Sequence, residues 1–191
     1  QTAATLLVAD STCPQIRELL SAAEAPVLWL DGQEPPLQAV SRVLAERRKL
    51  GQPVDTLHWV SHGSPGQLRL GASRINSDTV VANAHHLASW GVSNLALWSC
   101  HVGADRAFIA LLAEFTDANV WSTNSPLGRL EDGSSQWTLT SERATTSVMP
   151  PSLPFDATHR LAWPAQLNGG NSAPVASGTP SLAAVSDNVT T

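Results

Sequence analysis

Five short apolar runs punctuate the first two thirds of the chain, and each stops abruptly in polar residues. Residues 6–9 end at Asp10-Ser11, and residues 27–30 at Asp31-Gly32. Residues 57–60 end at Ser61-His62-Gly63, residues 95–98 at Ser99-Cys100-His101, and Val120-Trp121 at Ser122-Thr123. Unbroken rather than alternating runs of this length read as strands buried on both faces. Helical patterns lie between them. Residues 14–23 start at a proline, and residues 37–50 carry Leu37, Val40, Val43, Leu44 and Leu50 at near-helical spacing before Pro53. Asn76-Ser77-Asp78 caps a helix running to Ser89. A further helix covers residues 104–115. The segment QLRLGASRI, residues 67–75, alternates around Gly71 and predicts a small hairpin. Residues 137–139 predict a late strand. Strand alternating with helix implies an α/β fold with a mainly parallel sheet covered on both faces, joined by right-handed crossovers. Periodicity alone does not give the strand order.

The pattern changes near Thr146. Met149-Pro150-Pro151-Ser152-Leu153-Pro154 is a proline-rich break, and from Leu167 onward Gly, Ser, Asn, Thr, Pro and Ala dominate. This divides the chain into an α/β domain at residues 3–147, an extended segment at 148–166, and a linker with an incomplete element at 167–191.

Composition narrows the function classes. Hydrophobic residues make up 42% and charged residues 14%, which suits a chain with a core and not a disordered one. Net charge is −5, and the one basic run, Arg47-Arg48-Lys49, closes a helix, where cations suit the helix dipole. No basic face is left to serve as a nucleic-acid footprint. No apolar stretch approaches the roughly 18–20 residues of a membrane-spanning helix. Two cysteines, Cys13 and Cys100, are too few for a disulfide framework. A single bridge between them is the alternative to a free thiol at a strand tip.

The candidate chemistry sits on two strand tips. In an open α/β sheet, reactions gather beyond the carboxyl ends of the strands. One tip carries His62-Gly63 and another Cys100. A thiolate forms more readily near a helix N-terminus or an imidazolium, and Cys100 stands just ahead of the 104–115 helix. Cys100 is therefore expected to alkylate faster than Cys13. His62 is the base that takes the thiol proton and returns it to a leaving amine. Gly63 has no side chain, so its N–H approaches a substrate oxygen closely. With the N–H of Cys100 it makes an oxyanion hole. His58 shares a pleat face with His62 and is expected to be packed rather than catalytic, and the seven tryptophans read mostly as core.

At LHWVSHG and LALWSC the sequence resembles the caspase–haemoglobinase class of cysteine peptidases. The resemblance implies a three-layer α/β/α, caspase-like fold with a mainly parallel sheet of about six strands. It also implies Cys100 as nucleophile and His62 as base, with no cofactor and no metal. A second resemblance is carried by VSHGSPGQLRLG, SCHVGADRAFIALLAEFTDANVWSTN and SSQWTLTS. These blocks are similar to an uncharacterised domain that heads giant bacterial surface proteins, which continue into cadherin-like, VCBS-like or RTX repeats. APVASGTPSLAAVSDNVTT looks like the start of such a repeat. His101 departs from that family, which more often has Asn there. The resemblance implies a cell-surface or extracellular protein with downstream repeat domains as partners.

The expected function is a cysteine endopeptidase acting on its own chain or on a neighbouring surface adhesin. The alternative is a catalytically inactive structural or binding module of the adhesin. A zinc site from Cys100, His101 and His62 is a further alternative without a fourth ligand. Trp98 and Ser99 precede the cysteine where a first specificity pocket would be lined, and Asp10 could bring a charge to it. Trp98-Ser99 suggest an uncharged preference such as Leu or Asn. The expected peptide substrate includes the chain's own stretch Gln166-Leu167-Asn168-Gly169-Gly170-Asn171, which is uncharged and free of proline.

Overall fold

In the computed structural model, which describes residues 4–143 and 148–168, the five apolar runs become five strands of one sheet. The chain runs through β1 (Thr5–Asp10), α1 (Pro14–Leu19), β2 (Val27–Leu30), α2 (Pro36–Lys49) and β3 (Thr56–Val60). A small antiparallel unit follows, made of β4 (His62–Ser64), β5 (Gln67–Leu70) and β6 (Ser73–Ile75). Next come α3 (Ser77–Ala82), α4 (Ala84–Ala88), β7 (Asn94–Trp98), α5 (Arg106–Thr116) and β8 (Asn119–Trp121). The ribbon β9 (Gly128–Arg129) and β10 (Ser135–Gln136) and the helix α6 (Ala157–Ala162) complete it.

The main sheet has the order β2-β1-β3-β7-β8, with every neighbouring pair parallel. The chain leaves β1 for β2 on one side and returns to β3 on the other. The crevice between the tips of β1 and β3 is thus the point where strand order reverses, the usual binding place in such sheets. Successive strand residues face opposite sides. Leu6 and Val8 join a cluster with Leu37, Val40 and Leu44 of α2, Val80 of α3, Leu87 of α4 and Phe108 and Leu112 of α5. Leu7 and Ala9 join a second cluster with Ile16 and Leu19 of α1, Trp98, Cys100, Phe155, Trp163 and Leu167. Helix α5 shows why a helix forms there: Asp105 accepts the Phe108 N–H at 3.1 Å as N-cap, and Phe108, Ile109, Leu112, Ala113 and Thr116 form one buried stripe.

Several expectations change. The sheet has five strands where about six were expected. The late strand at 137–139 is absent, and beside β8 only Ser122 and Thr140 pair, in an antiparallel bridge. Trp137 and Leu139 turn into the second cluster instead of extending the ladder. The helix expected over 76–89 breaks at Asn83, whose side chain donates to the Thr79 carbonyl at 2.8 Å. Its expected cap holds, since Asn76 Oδ1 accepts the Thr79 N–H at 3.0 Å. The segment read as extended at 148–166 contains α6 and buries Phe155 and Trp163. The linker and the repeat expected after it lie outside the described residues, apart from Leu167 and Asn168 at the start of the linker. No helix among the described residues is long and apolar enough to cross a membrane.

Five of the seven tryptophans are buried. Their indole N–H groups find partners, as buried polar groups must. Trp90 donates to Ser41 Oγ at 2.8 Å, Trp163 to the Gln15 carbonyl at 2.8 Å, and Trp98 to His58 Nδ1 at 3.0 Å. That last bond fixes His58 as a neutral imidazole, and burial pushes its pKa down to about 4. The unfolded chain therefore binds a proton near pH 6.5 that the folded chain refuses until about pH 4. Stability should fall as pH drops through that window, by about 3 kcal/mol from this residue. Urea midpoints measured between pH 7 and pH 4 check this. His58→Gln, which keeps an acceptor for Trp98, should flatten the dependence.

Candidate active site

The site begins with the close approach of the tips of β3 and β7. Ser61 and Ser99 are fully buried between them. Ser99 Oγ donates to the Ser61 carbonyl at 2.8 Å, and the two hydroxyl oxygens lie 3.3 Å apart. Trp59 Nε1 adds a bond to Ser61 Oγ at 3.2 Å. This packing leaves no room beside residue 63. A Cβ on Gly63 would stand 2.6 Å from the Cβ of Ser99 and 3.1 Å from the Cys100 carbonyl oxygen. Glycine is thus required by contact, and its absence of side chain lets the chain turn directly into β4.

The turn aims two backbone donors at one point. The N–H of Gly63 and the N–H of Cys100 both donate to the carbonyl oxygen of Leu167, at 3.2 and 3.0 Å. The two donors come from different segments and converge on one acceptor. Residues 165–168 reach this point as an extended stretch. The Leu167 N–H donates to the Leu127 carbonyl at 3.0 Å, and the Arg129 N–H to the Ala165 carbonyl at 2.9 Å. Gln166 bridges Gly128 antiparallel, and Asn168 bridges Gly63. The Leu167 side chain is completely buried in the cluster that holds Ala9, Val60, Trp98, Cys100 and Leu127.

Cys100 lies beneath this stretch and has no exposed surface. Its sulfur accepts the Leu127 N–H at 3.0 Å. Burial pushes the thiol up to about 11, against the opposing pull of the Leu127 and Leu167 backbone. His62, at the adjacent tip, directs Nε2 to the Cys13 sulfur at 3.2 Å, while its Nδ1 is buried with no partner. Burial lowers the imidazole pKa, with Arg69 acting in the same direction and Asp10 and the Asn168 backbone opposing. The ring is therefore neutral at neutral pH, able to act as a base. Cys13 is free, as is Cys100, and burial raises the Cys13 thiol as well.

The remaining candidates are placed differently. Trp98 packs in the same cluster as Leu167 and edge-on to Phe155, with ring centroids 5.1 Å apart. Ser99 is bonded to Ser61 and serves the joint between the tips. Asp10 is buried and pinned: its carboxylate accepts the Thr12 N–H, the Thr12 hydroxyl and the Gly71 N–H at 2.9, 2.7 and 2.9 Å. With Cys13, His62, Arg69 and Gly71 it lines an open cleft of about 270 Å³ at the crevice between β1 and β3. His101 takes a left-handed backbone, φ 58°, and its ring meets the Asn124 carbonyl at 2.8 Å. Among the described residues no three His, Cys, Asp or Glu side chains are grouped to hold a metal ion.

Sequence reasoning missed Cys13, Leu127 and the detailed seat of Leu167. Cys13 carries a signal in hindsight, a thiol just beyond a strand tip, but only strand order puts that tip beside His62. Leu127 sits in a loop with no motif of its own.

The fold and this site define an α/β domain with a thiol–imidazole pair at the ends of parallel strands. The chain belongs to the family described as a domain of unknown function, DUF4347, whose model matches residues 6–167. Neither a curated protein nor a solved structure matches the chain.

Two outcomes follow from the geometry. The burial of Cys100 reverses the expected order of alkylation in this conformation. Iodoacetamide should modify Cys13 first, and Leu167→Ala should speed labelling of Cys100, as read by peptide mass mapping. Gly63→Ala should lower stability by about 1–3 kcal/mol through overpacking against Ser99, measured by urea unfolding.

Proposed function

We propose that this domain is a cysteine endopeptidase of three-layer, caspase-like architecture. The helices on the two apolar clusters, α2 to α5 with one and α1 with the other, support that architecture. The activity rests on one observation: the N–H after His62 and the N–H of Cys100 meet at a single peptide carbonyl. Such a pair stabilises the oxyanion of acyl transfer. Cys100 is the nucleophile. His62 Nδ1, unpartnered and buried, is the acid–base nitrogen. Cys13 is a positioning residue: its contact with Nε2 holds the ring, and in the tautomer with the proton on Nε2 the Nδ1 atom is the acceptor. The three blocks that resemble bacterial surface proteins support a setting at the cell surface or outside the cell, where the peptidase trims its own chain or a neighbouring adhesin with downstream repeats.

One observation favours the second reading, an inactive module of the adhesin: the Cys100 thiol is sealed and its pKa raised to about 11. The two readings separate with a leucine-terminated peptide bearing a chloromethyl ketone, applied to the native protein and to Leu167→Ala. The peptidase reading expects an adduct on Cys100. His62→Ala should slow it by about 10²–10⁴-fold, and Cys13→Ala by roughly tenfold through the loosened ring. No adduct in either protein, or labelling indifferent to His62, would establish the inactive module.

A further inference from the structure

The residue seated in the donor pair belongs to the chain itself, and its surroundings are those of a substrate on both sides of one bond. Upstream, residues 165–167 are held by main-chain bonds to Leu127 and Arg129, the way an extended peptide adds to a sheet edge. At the centre, the Leu167 carbonyl receives two N–H groups from two different strand tips. A strand that only completed a sheet would need one donor there, and would not need them from Gly63 and Cys100. Below, the Leu167 side chain is wholly enclosed by apolar neighbours. Downstream, Asn168 pairs with Gly63.

Resting on the peptidase reading above, we propose that Leu167–Asn168 is the bond this site cuts in its own chain, and that the enclosed apolar seat selects leucine before the cut. His62 takes the Cys100 proton, and the sulfur attacks the Leu167 carbonyl carbon. The carbonyl electron pair moves onto the oxygen held by Gly63 and Cys100. Collapse of that intermediate breaks the bond to the Asn168 nitrogen, which leaves with the proton carried by His62. A water, deprotonated by His62, then attacks the thioester. It yields a carboxylate at Leu167 and returns the thiol to Cys100. A charged side chain does not fit this seat, because it would be buried against Ala9, Val60, Trp98 and Leu127.

The test uses the full 191-residue chain at neutral pH with a reductant, followed by intact-mass and N-terminal analysis. The expected result is a released peptide beginning at Asn168, absent from Cys100→Ala. Leu167→Asp should reduce the cut by about 100-fold or more, and Leu167→Met should restore most of it. Because Leu167 also contributes to the core, Asn168→Pro serves as the second variant. It leaves the buried side chain in place and should abolish the cut without changing the thermal midpoint. A chain that stays whole, or is cut elsewhere, while the ketone peptide labels Cys100 would overturn the self-cleavage site and leave the peptidase reading standing. A chain that stays whole and unlabelled would remove both. A peptide beginning at Asn168 from Cys100→Ala as well would assign the cut to another protease.

Discussion

Everything at the site depends on how closely the tips of β3 and β7 approach. Two parallel strands normally splay at their ends, where the ladder stops and polar groups turn to water. Here Ser61 and Ser99 satisfy each other in the interior, so the tips remain joined past the last ladder pair, Val60 with Trp98. A buried hydroxyl without a partner costs about 1–3 kcal/mol, so each serine holds the other in place. The joint leaves space only for glycine at position 63, in the middle of β4, and its amide and that of Cys100 reach one acceptor. The reactive side chains on either side are then placed by the fold, without any loop having to order.

Much of this was legible in the residues. The five main strands follow from apolar runs that end in polar residues, the cap follows from Asn76, and His62 and Cys100 fall past strand ends; that those ends are neighbours comes from the sheet order. The helix break at Asn83 was less visible, because one side-chain bond to Thr79 outweighs a pattern that continues through it. The late strand failed for a different reason. Trp137 and Leu139 alternate correctly, but their side chains pack into the second cluster and no ladder forms at 137–139.

What the sequence withheld was distance across the fold. Cys13 stands 49 residues from His62, and the two meet only because β1 lies beside β3. Leu127 donates to a sulfur 27 residues away from a loop with no distinguishing composition. Leu167 had been singled out for its flexible, uncharged surroundings. Its seat is ordered instead: the branched apolar side chain is buried and the carbonyl accepts from two amides. The local chemistry around Cys100 was overread for the same reason: nearness to a helix start argues for a reactive thiol, and the covering segment reverses that.

The occupant of the site is tethered on its upstream side. Trp163, four residues earlier, is buried and donates to the Gln15 carbonyl, so Leu167 hangs on a short leash from the domain core. A ligand held this way is present at an effective concentration on the order of millimolar or above, whatever the amount of protein in solution. Loss of the chain beyond Asn168 does not alter that leash. The leucine that fills the seat stays with the domain, and any peptide from outside competes against a plug that dilution cannot remove.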